Sequence, residues 1–199
     1  MKKFELTAES KINIFGRKLF RIKALISFGD VEEGETGGWI EKEENLEQSS
    51  GNAWVYGNAE VYGNARVYGN ARVCGDAEVY GNARVYGDAE VYGNARVYGN
   101  ARVCGDAEVY GDARVYGNAR VYGNADYTTI HGFGTQFRTT TFFRCKDKQI
   151  RVSCGCFFGT IPEFREQVKN TRNGKIAEEY LMIADLMEKH FAEEKESGE

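Results

Sequence analysis

The chain has 199 residues, a formal net charge of −4, 42% hydrophobic residues and 28% charged residues. This composition excludes a disordered chain, and the acidic balance excludes a general nucleic-acid binder, which needs a basic surface. There is no apolar run of about 18 residues and no apolar stretch behind the first lysines, so neither a membrane span nor a signal peptide is expected.

Residues 1–50 read as a β-rich N-terminal cap. Lys11 to Phe28 alternates apolar and polar residues on both sides of Gly16-Arg17-Lys18, which predicts a hairpin. The glycines of Gly34-Glu-Thr-Gly-Gly-Trp-Ile40 read as a loop. The acids between Glu41 and Glu47 read as solvated surface.

Residues 51–126 are a repeat. Glycine recurs every six residues from Gly51 to Gly123, in a unit Val-Tyr-Gly-Asn-Ala-Arg where Cys, Asp or Glu sometimes replaces Tyr, Asn or Arg. A period of six is not helical, but it fits a short strand plus a corner. Along Arg-Val-Tyr the side chains alternate, so Val turns in while Arg and Tyr turn out. Gly-Asn makes the corner, and Ala turns in where there is room for a methyl.

An aliphatic residue and a small residue four positions later, repeated every six, resembles the hexapeptide repeat of left-handed parallel β-helices. That resemblance implies three sextets per triangular coil, hence a little over four coils in a rod about 20 Å long. The Val-Tyr-Gly-Asn-Ala wording also resembles a group of uncharacterised bacterial and phage proteins, which implies a phage or prophage role. Hexapeptide relatives include acyltransferases that use acyl-CoA and a catalytic His. This chain departs from them: its histidines are His131 and His190, outside the sextets, and no loop breaks the coils.

Residues 127–192 read as a β-hairpin around Lys146-Asp147-Lys148 and two helices. The first helix starts at the Thr160-Ile-Pro-Glu163 capping box, and the second carries Ile176, Tyr180, Ile183, Met187 and Phe191 on one stripe. Residues 193–199 are expected to be disordered. The five cysteines, an odd number, read as reduced thiols of a cytoplasmic protein. Cys145, Cys154 and Cys156 with His131 match no standard zinc spacing and read as packed thiols. Cys74 and Cys104 are 30 residues apart, which puts them on different faces, so they cannot pair.

Two sets of residues are candidates for a ligand. Sextets a coil apart share a face, and one face carries Arg66, Arg84, Arg102 and Arg120 beside Tyr68, Tyr86, Cys104 and Tyr122. Cations alongside rings suit an anionic or nucleotide ligand. The stretch Asn64–Gly81 recurs at Asn94–Gly111, five sextets on, which moves the pattern between faces and favours interchangeable units. The second set is His131, Arg138, Thr139, Thr140 and Arg144, polar and cationic enough for an anion or an acidic protein surface, and it is favoured over the rod. The expected function is therefore non-catalytic: a binding or scaffold protein that sequesters an anionic ligand such as a nucleotide, or blocks a host protein. The alternative is an acyl-CoA-dependent acyltransferase. No cofactor and no metal are expected. A homo-oligomer, dimer or trimer, is expected through residues 127–192.

Overall fold

A computed structural model describes residues 2–192, so the tail expected to be disordered lies outside the described residues. The chain forms two compact units, residues 1–124 and 125–199.

The first unit is a mainly β solenoid. Its twelve two-residue strands run from β4 (Trp54–Val55) to β15 (Arg120–Val121), and after β4 each holds the Arg-Val or Glu-Val of one sextet. Strands 18 residues apart pair in parallel, as Arg84-Val85 does with Arg102-Val103. Three such sheets close the prism. Val and Ala fill its interior: Val67 is 1% exposed, and Val85, Ala83 and the others from Ala53 to Val121 are fully buried. Backbone bonds tie coil to coil at each level, with the amides of Arg84, Tyr86 and Asp88 donating to the carbonyls of Ala101, Val103 and Gly105 at 2.9, 3.0 and 2.8 Å.

The corners require their glycines. Gly87 has φ of +73°, and a β-carbon there would lie 3.0 Å from the amide nitrogen of Gly105 in the next coil. Both the left-handed backbone and the close stacking forbid a side chain. Corner amides add a second ladder, with Asn82 Nδ2 donating to Asn100 Oδ1 at 3.1 Å and Asn70 Nδ2 to Asp88 Oδ1 at 3.0 Å.

The winding begins upstream of the glycine period. Strands β1 (Phe4–Ile12) and β2 (Lys18–Ala24) form the expected antiparallel hairpin, and β2 pairs with β3 (Thr36–Ile40). The stretch read as a loop is thus a strand: β3 runs parallel to the solenoid, with Ile40 paired to Val61, and Leu46 bridges Val67. Together these make about a fifth turn. Its glycines serve close approach, since a β-carbon on Gly37 would meet Trp54 Cζ2 at 2.6 Å. Asn45, fully buried, caps the corner of the next coil, its side-chain amide donating to Ala65 O at 2.8 Å and Gly63 O at 3.2 Å. Trp54 stands at an outer position of its sextet yet is fully buried, with Phe4 and Phe28 packed edge-on at 6.1 and 5.4 Å.

The tyrosines stack outside the prism. Tyr62, Tyr80, Tyr98 and Tyr116 stack with nearly parallel rings at 5.0, 4.8 and 4.6 Å. Burial, with neighbouring tyrosines next, pushes Tyr98 up to about 12; burial and the Glu108 carboxylate do the same for Tyr92. Near the N-terminus, Lys3 Nζ donates to Ala53 O at 3.1 Å, and burial lowers its ammonium to about 8. The signs of these shifts predict an alkaline profile. The unfolded chain keeps Lys3 protonated where the folded one has released that proton, so stability rises from about pH 8 towards 10. The folded tyrosines hold protons that the unfolded chain loses near 10, so stability falls from about pH 10 to 12. Urea midpoints measured across this range should peak near pH 10, and Lys3→Met should flatten the rising limb.

The second unit is a four-stranded antiparallel meander under two helices. Strands β16 (Tyr127–Phe133), β17 (Arg138–Arg144), β18 (Ile150–Cys154) and β19 (Phe157–Thr160) pair in chain order. The expected hairpin is its central pair, flanked by two further strands. Helix α1 (Ile161–Thr171) starts at the capping box, with Thr160 N donating to Glu163 Oε2 at 2.7 Å. Helix α2 (Gly174–His190) buries Tyr180, Ile183 and Met187 with Phe142, Val152, Phe164 and Phe191.

Candidate anion-binding face

Strand alternation splits the C-terminal candidate set. Arg138, Thr140, Phe142 and Arg144 point to one side of β17, Thr139 to the other. Phe142 belongs to the core under the helices, and Arg144 Nη2 reaches Phe191 O at 3.3 Å, while its Nε donates to Asp126 Oδ1 at 3.1 Å. Thr140 is buried, its hydroxyl donating to Cys154 Sγ at 3.2 Å. His131 Nδ1 instead lies 3.0 Å from Thr139 Oγ1, on an exposed stretch of β16. The five residues therefore form no single site. Asp126 lies in a 3₁₀ turn and pairs with Arg144.

The rod set stays together. Arg66, Arg84, Arg102 and Arg120 stand directly in register on one sheet. Parallel strands put neighbouring rungs about 4.8 Å apart. The rings beside them keep the same pitch, since Tyr68 and Tyr86 stack at 4.8 Å and 2°. The hydrogen bond with the Cys104 thiol, and then burial, push Tyr86 up to about 12. The corner leading into these rungs is Asn64, Asn82, Asn100 and Asn118, which carries no carboxylate.

The other faces are compensated. Arg96 pairs with Glu78 at 2.9 Å, Lys11 with Glu60 at 2.8 Å, and Arg72 with Asp30. Among the described residues, none of the four column arginines forms an ion pair. Arg120 Nη1 only approaches the backbone, at 3.4 Å from Asn100 O. The column has a polarity. Arg66 borders a groove of about 530 Å³ that it shares with Lys42, Glu43, Glu44 and Glu47. Glu47 is held below the usual carboxylate range by the Ser49 hydroxyl and amide, with Arg66 adding to this. The strip from Arg84 to Arg120 lies beyond that groove. At 4.8 Å, adjacent guanidinium charges repel by roughly 0.9 kcal/mol even at the dielectric of water. An anion laid along the strip relieves that repulsion.

The free thiols are spread out. Cys74 and Cys104 lie on different sheets. Cys145 is buried, Cys154 half-buried and Cys156 exposed. Among the described residues no three His, Cys, Asp or Glu side chains gather as a metal site, and no helix is long and apolar enough to cross a membrane.

Fold and repeat together define a β-solenoid protein. A family model described as YdcK Beta solenoid repeat matches residues 59–75, 77–93, 89–105 and 113–125. All four segments lie within the winding, so the likeness is one of the repeat. No curated protein matches the chain.

Proposed function

We propose that this is a non-catalytic binding protein whose solenoid takes an anionic ligand of the nucleotide class along Arg84, Arg102 and Arg120, with Arg66 at the strip's end. One observation carries the reading: four arginines stand in register with no ion-pair partner among the described residues, on a protein of net charge −4 whose other rungs mix signs. Guanidinium forks suit phosphate oxygens, and the Tyr68–Tyr86 pair beside them offers a base a flat surface. Calorimetry with a nucleoside mono-, di- and triphosphate tests this reading, and affinity should rise with phosphate number. The six-residue spacing of strands and the 18-residue turn support membership of the hexapeptide solenoids.

A homo-oligomer through the second unit is part of the same proposal. On α2, Met182 and Leu186 are 63% and 57% exposed, one helical turn apart. Two copies of α2 crossing antiparallel at this point set Met182 against Leu186 and Glu179 against Lys189, an arrangement that repeats across a two-fold axis. The double substitution Met182→Glu, Leu186→Glu should leave the fold intact and give a monomer by light scattering. An unchanged oligomer would move the interface elsewhere, and a monomeric parent protein would end the proposal.

A further inference from the structure

The second unit contains a cavity that none of the foregoing uses. Its volume is about 160 Å³, and Arg138, Cys154, Phe157, Phe164, Arg172 and Tyr180 line it. Two cations mark its rim. Arg138 lies across the turn after β18, so close that a β-carbon on Gly155 would meet its Nη1 at 2.3 Å. Gly155 has φ of +60°, so glycine serves both the turn and the seating of the guanidinium. Arg172 follows the end of α1, and its Nη1 donates to Thr171 O at 3.0 Å. Neither arginine forms an ion pair among the described residues.

The walls are about equally polar and apolar, with Gln167 and Thr171 beside the rings. Phe157 and Phe164 lie 5.4 Å apart, and Phe164 meets Tyr180 edge-on at 5.8 Å. The Tyr180 hydroxyl donates to Phe133 O at 3.2 Å, and the Cys154 sulfur accepts from Thr140. A cavity of about 150 Å³ with apolar walls accepts a benzene molecule. Here a space of similar size has one ring-lined part and two arginines among its walls, and guanidinium groups bind carboxylates through paired N–H donors.

We propose that this cavity is a binding site for a small organic carboxylate with a benzene-sized apolar body, its ring against Phe157 and Phe164 and its carboxylate between Arg138 and Arg172. The site shares no residue with the arginine column, so each stands or falls alone. Cys154 serves as the built-in reporter, because an occupant covers its sulfur. The full-length protein is alkylated with iodoacetamide in the presence of benzoate or of neutral benzamide, and each cysteine is followed by mass spectrometry. Benzoate should slow modification of Cys154 at least about 3-fold and leave Cys74 unchanged, and benzamide should not protect. Arg138→Gln and Arg172→Gln should each abolish protection at an unchanged melting temperature, and Arg138→Lys should restore part of it. Absence of protection by benzoate, equal protection by benzamide, or protection that survives in the double Gln variant would overturn the proposal.

Discussion

Val85→Asp should abolish the cooperative melt of the solenoid, while Tyr86→Ser, one residue on, should lower its melting temperature by only about 2–4 °C. Val85 is fully buried midway along the prism, paired with Val67 on one side and Val103 on the other. A carboxylate there finds no cation and no water, and its burial costs about 3–5 kcal/mol for an unpaired charge. That is much of the roughly 5–15 kcal/mol that holds a domain together. In a stacked repeat each coil touches only its neighbours, so a failed central coil also uncouples the two ends. Tyr86 lies outside the prism, and its loss removes one stacked partner of Tyr68, worth about 1 kcal/mol. Differential scanning calorimetry of both variants checks the register: similar melts would mean that Val85 does not face the core.

Most of the solenoid could be read from its sextets because each letter has one physical task. The alternation in Arg-Val-Tyr sets what faces in, and the 18-residue turn sets which arginines share a face, so the column of Arg66, Arg84, Arg102 and Arg120 was legible before any coordinates. The first turn was not. Ile40 and Leu46 keep the six-residue spacing, but Lys42 rather than glycine follows two residues after Ile40, and the offset to the next coil is 21 residues, as from Ile40 to Val61. Gly37 and Gly38 read as a loop because close packing against Trp54 and Val55 leaves no local signal.

The C-terminal candidates divide for a different reason. His131, Arg138, Thr139, Thr140 and Arg144 are close in sequence, but alternation along β17 sends Thr139 away from its neighbours. That much was available from the period of two. What Arg138 does meet, Arg172 and Tyr180 around one cavity, depends on how the helices fold back over the sheet, and no short-range pattern encodes that contact. The Cys154-Gly155-Cys156 turn was the nearest clue, since a glycine between two strands is where another chain segment can come close.

Arg102→Glu separates binding from stability, because its two effects have opposite signs. Arg102 stands between Arg84 and Arg120. A glutamate there removes two repulsions and adds two attractions, each exposed pair being worth about 0.2–1 kcal/mol. The ligand-free protein should therefore melt about 2–4 °C higher. The same change takes a donor from the centre of the strip and puts a like charge against the ligand. Charge-assisted hydrogen bonds contribute about 1.5–3 kcal/mol each, so affinity for a nucleoside triphosphate should fall at least about 10-fold. Arg114→Glu is the matched control, since it changes charge equally on the face where Arg96 and Glu78 already mix signs.

The most direct measurement is isothermal titration of a nucleoside triphosphate into the parent protein, Arg102→Glu and Arg114→Glu at two salt concentrations. The arginine strip predicts saturable binding by the parent that weakens as salt rises, survives in Arg114→Glu and falls at least about 10-fold in Arg102→Glu. No binding by the parent, or equal binding by both variants, would contradict it.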